Sequence, residues 1–182
     1  MTAIDPAGEH LAAHAVSTPD KPAVVMHPSG LVRTYRDVDD ASIRLARVLR
    51  DRGFGLGDHV AVLVDNQPEF YDVVWAAQRI GCYVTPINWH LAADEAGYIV
   101  GDCDATALFA SARLGDVVAQ MGDRLGAVTT RVCVDGDLPG FERYDDLVAG
   151  VGAGDLDGPR GLARPPWLRR QVDDRRDPRP RR

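Results

Sequence analysis

The stretch PINWHL, residues 86–91, holds the residue types best suited to contact a ligand. Asn88 and His90 both donate and accept hydrogen bonds, and Trp89 combines an apolar ring with a polar N–H group. The stretch follows an apolar run and precedes a helical pattern, and α/β proteins bind ligands in the loops after parallel strands. An asparagine turn with a half-buried tryptophan explains the same residues without any ligand, so both interpretations stay open.

Three other patterns suggest chemistry, and each has a simpler interpretation. The glycines of GFGLGDHV, starting at Gly53, have G-x-G-x-G spacing and lead from a helix into a strand, whereas phosphate loops run from strand to helix. They therefore indicate a turn. His10 and His14 share a helix face but lack a third metal ligand, which favours a solvated face. DGDLPG, residues 135–140, lacks most ligands of a calcium loop and predicts a surface turn.

The cysteines predict no disulfide and no zinc site. Cys82, Cys103 and Cys133 are far apart and form no C-x-x-C pair, which is typical of reduced thiols in a cytosolic protein. No signal peptide is visible after Met1, and no apolar run approaches the ~20 residues of a membrane span. We expect a cytoplasmic protein without a transmembrane segment.

The elements that must position these residues begin with a helix and a hairpin. GEHLAAHAVST (8–18) predicts an amphipathic helix, and residues 22–27 and 31–35 predict two strands joined by a Pro-Ser-Gly turn. Thr34 and Asp37 have the spacing of a helix cap, and Gly53 is placed to end that helix.

Strands then alternate with helices. The apolar runs at 59–65, 82–87, 105–110 and 130–135 predict strands, the first two buried on both faces. Pro68 begins a helix that Gly81 ends, and further helices are predicted at about 93–100, 113–121 and 143–150. This alternation predicts an α/β fold, a parallel sheet with helices on both faces.

The end of the chain differs in charge from the rest. Residues 1–158 hold 12 basic and 24 acidic residues, whereas residues 159–182 hold 9 basic and 3 acidic ones. We expect a partial domain at 1–150 and a disordered Gly-rich linker with an Arg/Pro-rich basic tail at 151–182. Three aspartates interrupt the arginines, so binding of nucleic acid or an acidic membrane is the weaker alternative and no specific nucleic-acid partner is expected.

Residues 8–112 resemble the opening of AMP-forming acyl-CoA synthetases, members of the adenylate-forming superfamily. The features that carry the resemblance occur in order: T-Y-x-[DE]-V, G-x-x-x-G-D-x-V-A-V-L, N-x-P-E-F, G-x-x-x-x-P-[IL]-N and E-x-x-Y-I. The variant I-N-W-H-L resembles the fatty-acid–CoA ligase branch. The resemblance implies activation of a fatty acid or other carboxylic acid by ATP with Mg²⁺, through acyl-AMP, and transfer to CoA.

The same resemblance limits what this sequence is expected to do. The family's S-G-T-T-G phosphate loop, ribose aspartate and catalytic lysine are absent from it. We therefore expect an N-terminal fragment that is inactive alone. It is expected to contain no catalytic residue and no metal ligand, and to bind none of the family's cofactors. Some relatives carry arginine where His90 stands, which makes His90 the candidate contact to a CoA phosphate. The alternative is an interaction or regulatory module that pairs with a chain supplying the missing domain. We further hypothesise that a frameshift near residues 150–160 produced the tail.

Overall fold

The structure is a computed structural model that describes residues 11–154 and residue 156. Its helices and strands are α1 Leu11–Ser17, β1 Pro22–Val25, β2 Val32–Thr34, α2 Tyr35–Asp51, β3 His59–Leu63, α3 Glu69–Ile80, β4 Tyr83–Pro86, α4 Ala93–Asp102, β5 Ala107–Ala110, α5 Gly115–Met121, β6 Thr130–Cys133, β7 Glu142–Arg143 and α6 Tyr144–Val148. Single turns of 3-10 helix flank α5 at Ala112–Leu114 and Gly122–Leu125. His10, the start of the first predicted helix and the Arg-rich tail lie outside the described residues.

Five strands form the central sheet in the order β4-β3-β5-β6-β7, and every neighbouring pair is parallel. Successive residues of β3 alternate between two cores. Val60 and Val62 pack with residues of α2 and α3, whereas Ala61 and Leu63 pack with residues of α4 and α5. Burial of each such valine or leucine side chain contributes about 1.5–3 kcal/mol. The predicted α/β fold with helices on both faces is confirmed.

The prediction that residues 82–87 form a second buried strand was wrong. β4 lies at the edge of the sheet and pairs only with β3 among the described strands. Tyr83 is 61% exposed, and Pro86, which has no N–H to donate, is tolerated because β4 is an edge strand. An apolar run signals a strand but does not reveal how many neighbours the strand has. The two-residue strand β7 was missed because it is too short to show a pattern.

Local signals predicted the hairpin and the ends of two helices correctly. β1 and β2 pair antiparallel. Asp37 N–H donates to Thr34 Oγ1 at 3.2 Å, and Thr34 N–H donates to Asp37 Oδ2 at 2.8 Å, so the predicted cap of α2 is present. Gly81 ends α3 at a φ of 84°, a left-handed conformation that favours glycine.

The segment after α6 runs along α2. Arg47 Nη2 donates to the carbonyl oxygen of Gly154 at 2.6 Å, and Leu156 packs against the core formed by α2 and α3. Contacts with the fold therefore continue through residue 156. Among the described residues, no helix combines the length and apolar character that a membrane span requires.

Candidate functional site

The loops that follow β4, β3, β5 and β6 lie at the same end of the sheet, because the carboxyl ends of parallel strands point the same way. We call this end the carboxyl edge. These loops bring together side chains that are far apart in sequence. We refer to Asp65, Trp89, His90, Ser111 and Arg113 as the carboxyl-edge cluster.

The loop after β4 forms the asparagine turn. Asn88 Oδ1 accepts a hydrogen bond from His90 N–H at 3.0 Å. Trp89 is half-buried and packs against the core that includes residues of α4 and α5. The centroid of the His90 ring lies 3.5 Å from that of the Trp89 ring. The structure thus has the turn and the half-buried tryptophan, and it leaves His90 exposed to solvent, where a ligand can reach it.

Arg113 reaches this loop from the turn after β5, which lies two strands away in the sheet. Its guanidinium carbon lies 5.2 Å from the centroid of the Trp89 ring, within the range of a cation–π interaction. Sequence reasoning missed Arg113 because the residue appeared to be the start of a helix. The rule that singled out His90, a polar residue just beyond a parallel strand, would have found Arg113 too.

Asp65 and Ser111 hold the ends of β3 and β5 together. Ser111 Oγ donates to Asp65 Oδ1 at 2.7 Å, and Asp65 N–H donates to Ser111 Oγ at 3.1 Å. The other carboxylate oxygen, Asp65 Oδ2, lies 3.6 Å from Arg113 Nη1. The cluster therefore places a guanidinium and an imidazole against an indole ring, and a fixed carboxylate contacts the guanidinium. The guanidinium is the group suited to binding an anion beside the aromatic ring.

The predicted turn at 135–140 lies beside this cluster. Asp135 Oδ1 accepts a hydrogen bond from Ala112 N–H at 2.6 Å, and Asp135 Oδ2 accepts one from Gln67 Nε2 at 3.1 Å. Asp135 thus fixes backbone and side chains instead of gathering ligands. Within the described ranges, no three His, Cys, Asp or Glu residues are grouped to hold a metal ion.

The other sequence candidates have structural roles. Gly53 and Gly57 adopt φ of 91° and 93° in the turn that leads into β3, which confirms a turn instead of a phosphate loop. His14 stacks on Tyr35 with a centroid distance of 4.9 Å. Its predicted neighbour His10 is not described.

The three cysteines are free, and their surroundings make two of them poor nucleophiles. Burial, with a smaller contribution from the Asp58 carboxylate, raises the pKa of the Cys82 thiol to about 11. Burial also raises the pKa of Cys133. Because the thiolate is the reactive form, neither residue is suited to covalent catalysis at neutral pH.

A second polar cluster lies on the side of the sheet covered by α2 and α3. Asp72 Oδ2 accepts hydrogen bonds from Arg33 Nη1 at 2.8 Å and from the Tyr144 hydroxyl at 3.0 Å. Burial raises the pKa of Asp72 although the bond from Arg33 opposes the shift, and burial also raises the pKa of Tyr144 and of Glu69. Because Asp72 is only 1% exposed, this cluster joins β2, α3 and α6 and is closed to ligands.

Comparison with known proteins identifies the family. Residues 11–159, about four fifths of the chain, match the family described as AMP-binding enzyme. The chain therefore belongs to the AMP-binding enzyme family. Its relatives include acyl-CoA and fatty-acid ligases, as the sequence motifs suggested.

Two curated relatives and one crystal structure illustrate the similarity. The fatty acid–[acyl-carrier-protein] ligase ScoC of Streptomyces coeruleorubidus is 32% identical over 108 residues, covering 59% of this chain and 20% of that protein. The long-chain-fatty-acid–CoA ligase FadD13 of Mycobacterium tuberculosis is 33% identical over 114 residues, covering 60% of this chain and 23% of that protein. The inhibitor-bound N-terminal domain of FACL13 from Mycobacterium tuberculosis superposes with a TM-score of 0.70 at 26% identity, covering 83% of this chain and 37% of that one. The chain thus spans about a fifth of the length of these two curated relatives.

Proposed function

We propose, from its membership of the AMP-binding enzyme family, that this chain supplies the N-terminal scaffold of an enzyme that activates a fatty acid or other carboxylic acid. The carboxylate attacks the α-phosphate of ATP to form acyl-AMP and pyrophosphate, and the thiol of CoA then displaces AMP. The observation that carries the proposal is the family match over residues 11–159, together with an α/β fold of the same kind as the N-terminal domain of FACL13. Free cysteines at positions 82, 103 and 133 support a cytoplasmic location.

Residues 1–182 lack the means to catalyse this reaction alone. Their sequence contains no S-G-T-T-G phosphate loop, and its single lysine, Lys21, lies in the loop before β1. Mg²⁺ accompanies ATP in this chemistry, and the described residues contain no group of three His, Cys, Asp or Glu side chains that could hold it. The chain contributes a folded scaffold and the carboxyl-edge cluster.

Exchange of labelled pyrophosphate into ATP tests this division of labour. Purified residues 1–182 with palmitate, ATP and Mg²⁺ should give no exchange above a protein-free blank. A chimera in which residues 1–150 replace the matching part of FadD13 should exchange pyrophosphate in a palmitate-dependent manner. Exchange by the chain alone would show that catalysis does not require the missing loop, whereas a folded but inactive chimera would contradict the scaffold role.

Within the carboxyl-edge cluster, we propose His90 as a contact to a phosphate of CoA, together with Arg113, which contacts the same Trp89 ring. An imidazole binds phosphate well only when protonated, whereas a guanidinium is always charged. Arg113 therefore supplies the permanent charge, and His90 adds an exposed imidazole. In the chimera, R113Q should raise the KM for CoA several-fold and leave pyrophosphate exchange unchanged, because CoA enters only the second step.

A second candidate function is pairing with another synthetase chain. The observation that favours it is the edge position of β4, whose outer side is unpaired among the described strands. Exposed strand edges favour pairing with other chains. Co-purification of tagged residues 1–182 with a separate chain carrying the phosphate loop would support this role, and a monomer in the presence of such a chain would exclude it.

A further inference from the structure

Arg113 is a long side chain at the surface, and two contacts limit its orientation. Its side chain is 67% exposed, so its position is not dictated by packing. The ring of Trp89 lies against the guanidinium, and Asp65 Oδ2 lies 3.6 Å from Nη1. A guanidinium has five N–H donors, so a single carboxylate oxygen leaves most of them available to another anion.

Asp65, in contrast, is held firmly. Its side chain is only 9% exposed, and Ser111, which is fully buried, both donates to Oδ1 and accepts from the Asp65 N–H group. Two reciprocal hydrogen bonds therefore fix the direction of the carboxylate. The second oxygen, Oδ2, is the one that approaches Arg113.

The backbone that carries Arg113 is fixed as well. Asp135 Oδ1 accepts a hydrogen bond from Ala112 N–H at 2.6 Å, and Leu114 N–H donates to the Ser111 carbonyl oxygen at 3.0 Å. With the backbone anchored on either side, the remaining freedom of Arg113 is that of its own side-chain torsions. Asp65 is the charged group placed to restrict them.

We propose that Asp65 is a positioning residue, which holds the Arg113 guanidinium over Trp89, the ring that His90 also contacts, and so presents it to a phosphate group. This inference rests on the CoA contact proposed above. It adds Asp65, which follows β3, to His90 and Arg113, which follow β4 and β5. Holding one long side chain in place corresponds to roughly a threefold gain in affinity. Asp65 itself needs no contact with the phosphate.

Nitrogen-15 NMR spectra of residues 1–182 test the proposal in two stages. Without any added ligand, D65N should move and broaden the Arg113 Nε–H resonance and shift the Trp89 indole N–H, while D65E should retain more of the wild-type positions. D20N serves as the matched control because Asp20 is an exposed aspartate that pairs with Arg36, outside the carboxyl-edge cluster. Thermal unfolding of each variant checks that the fold persists.

Titration with CoA forms the second stage, at millimolar concentration because a chain that supplies only part of a CoA site is expected to bind CoA weakly where the sequence alone predicted no binding. We expect CoA to shift the resonances of Trp89, His90 and Arg113. The apparent Kd should be about threefold higher in D65N than in wild type. The double variant D65N/R113Q should bind CoA no more weakly than R113Q alone. Equal or tighter binding by D65N would overturn the positioning role. If CoA causes no shift in the wild-type chain, the proposed CoA contact is contradicted. The role of Asp65 is still decided by the ligand-free spectra, because an Arg113 resonance that is the same in D65N and wild type would show that Asp65 does not position the guanidinium.

Discussion

The hydroxyl of Tyr144 donates a 3.0 Å hydrogen bond to Asp72 Oδ2, across 72 residues of sequence. Arg33 donates to the same oxygen from β2, and both Asp72 and Tyr144 are buried. Among the described residues, Asp72 Oδ1 is buried without a hydrogen-bond partner, so this carboxylate depends on the two bonds that it has. The relationship joins the hairpin, α3 and α6 into one folded unit.

Removing the Tyr144 hydroxyl should therefore destabilise the fold. In Y144F the ring remains in place but the buried carboxylate loses a donor, and we expect the free energy of unfolding to fall by about 1.5–3 kcal/mol. Urea denaturation followed by circular dichroism measures the change. Y98F is the matched control, because the Tyr98 hydroxyl bonds Asp102 at the surface and its loss should leave the urea midpoint unchanged. Equal midpoints for Y144F and wild type would contradict the assignment.

Truncation of Leu45 tests the core between α2 and the sheet. Leu45 has no exposed surface, whereas Leu56, in the turn before β3, is 69% exposed. L45A should lower the free energy of unfolding by about 2–5 kcal/mol because it removes buried apolar surface and leaves a cavity. L56A should change it by less than about 0.5 kcal/mol. Similar losses in the two variants would mean that α2 does not pack as described.

Two glycine substitutions should have opposite effects. Gly81 has a φ of 84°, and a Cβ there would lie 3.1 Å from Leu56 Cδ1 and 3.3 Å from Leu56 Cα. G81A should therefore destabilise the fold by about 1 kcal/mol or more. Gly101 lies within α4 with nothing within 4 Å of the Cβ position, so G101A should stabilise by about 0.5–1 kcal/mol. Thermal unfolding of both variants decides the matter, and a loss of stability in G101A would contradict the described α4.

The helix cap at Thr34 predicts a dependence on pH. Hydrogen bonds from Thr34 lower the pKa of Asp37 below its ordinary value of 3.8, so the charged carboxylate stabilises the folded state. This contribution is fully present above pH 3.8 and is lost as the pH falls through the lower pKa of the folded state. The difference in melting temperature between wild type and D37N should therefore be present at pH 7 and shrink toward pH 2. A difference that stays constant with pH would show that the charge of Asp37 has no role in the cap.

Much of the fold could be predicted from the sequence because local patterns report local forces. Alternating apolar runs and amphipathic stretches predicted the α/β order, Thr34 and Asp37 predicted the start of α2, and Gly81 predicted the end of α3. The edge position of β4 and the presence of β7 could not be predicted in this way. Strand order depends on which strands pair, and pairing is decided by contacts across the whole chain.

For the candidate site, the sequence by itself singled out two members, Trp89 and His90, and the turn that carries them. Only the tertiary structure placed Arg113 over Trp89 and joined it to Asp65 and Ser111, because these residues follow different strands and meet only where parallel strands end at the same edge. Motifs in order along the chain were enough to place the protein in its family. Which charged groups meet at the carboxyl edge depends on distances in space, which sequence spacing does not record.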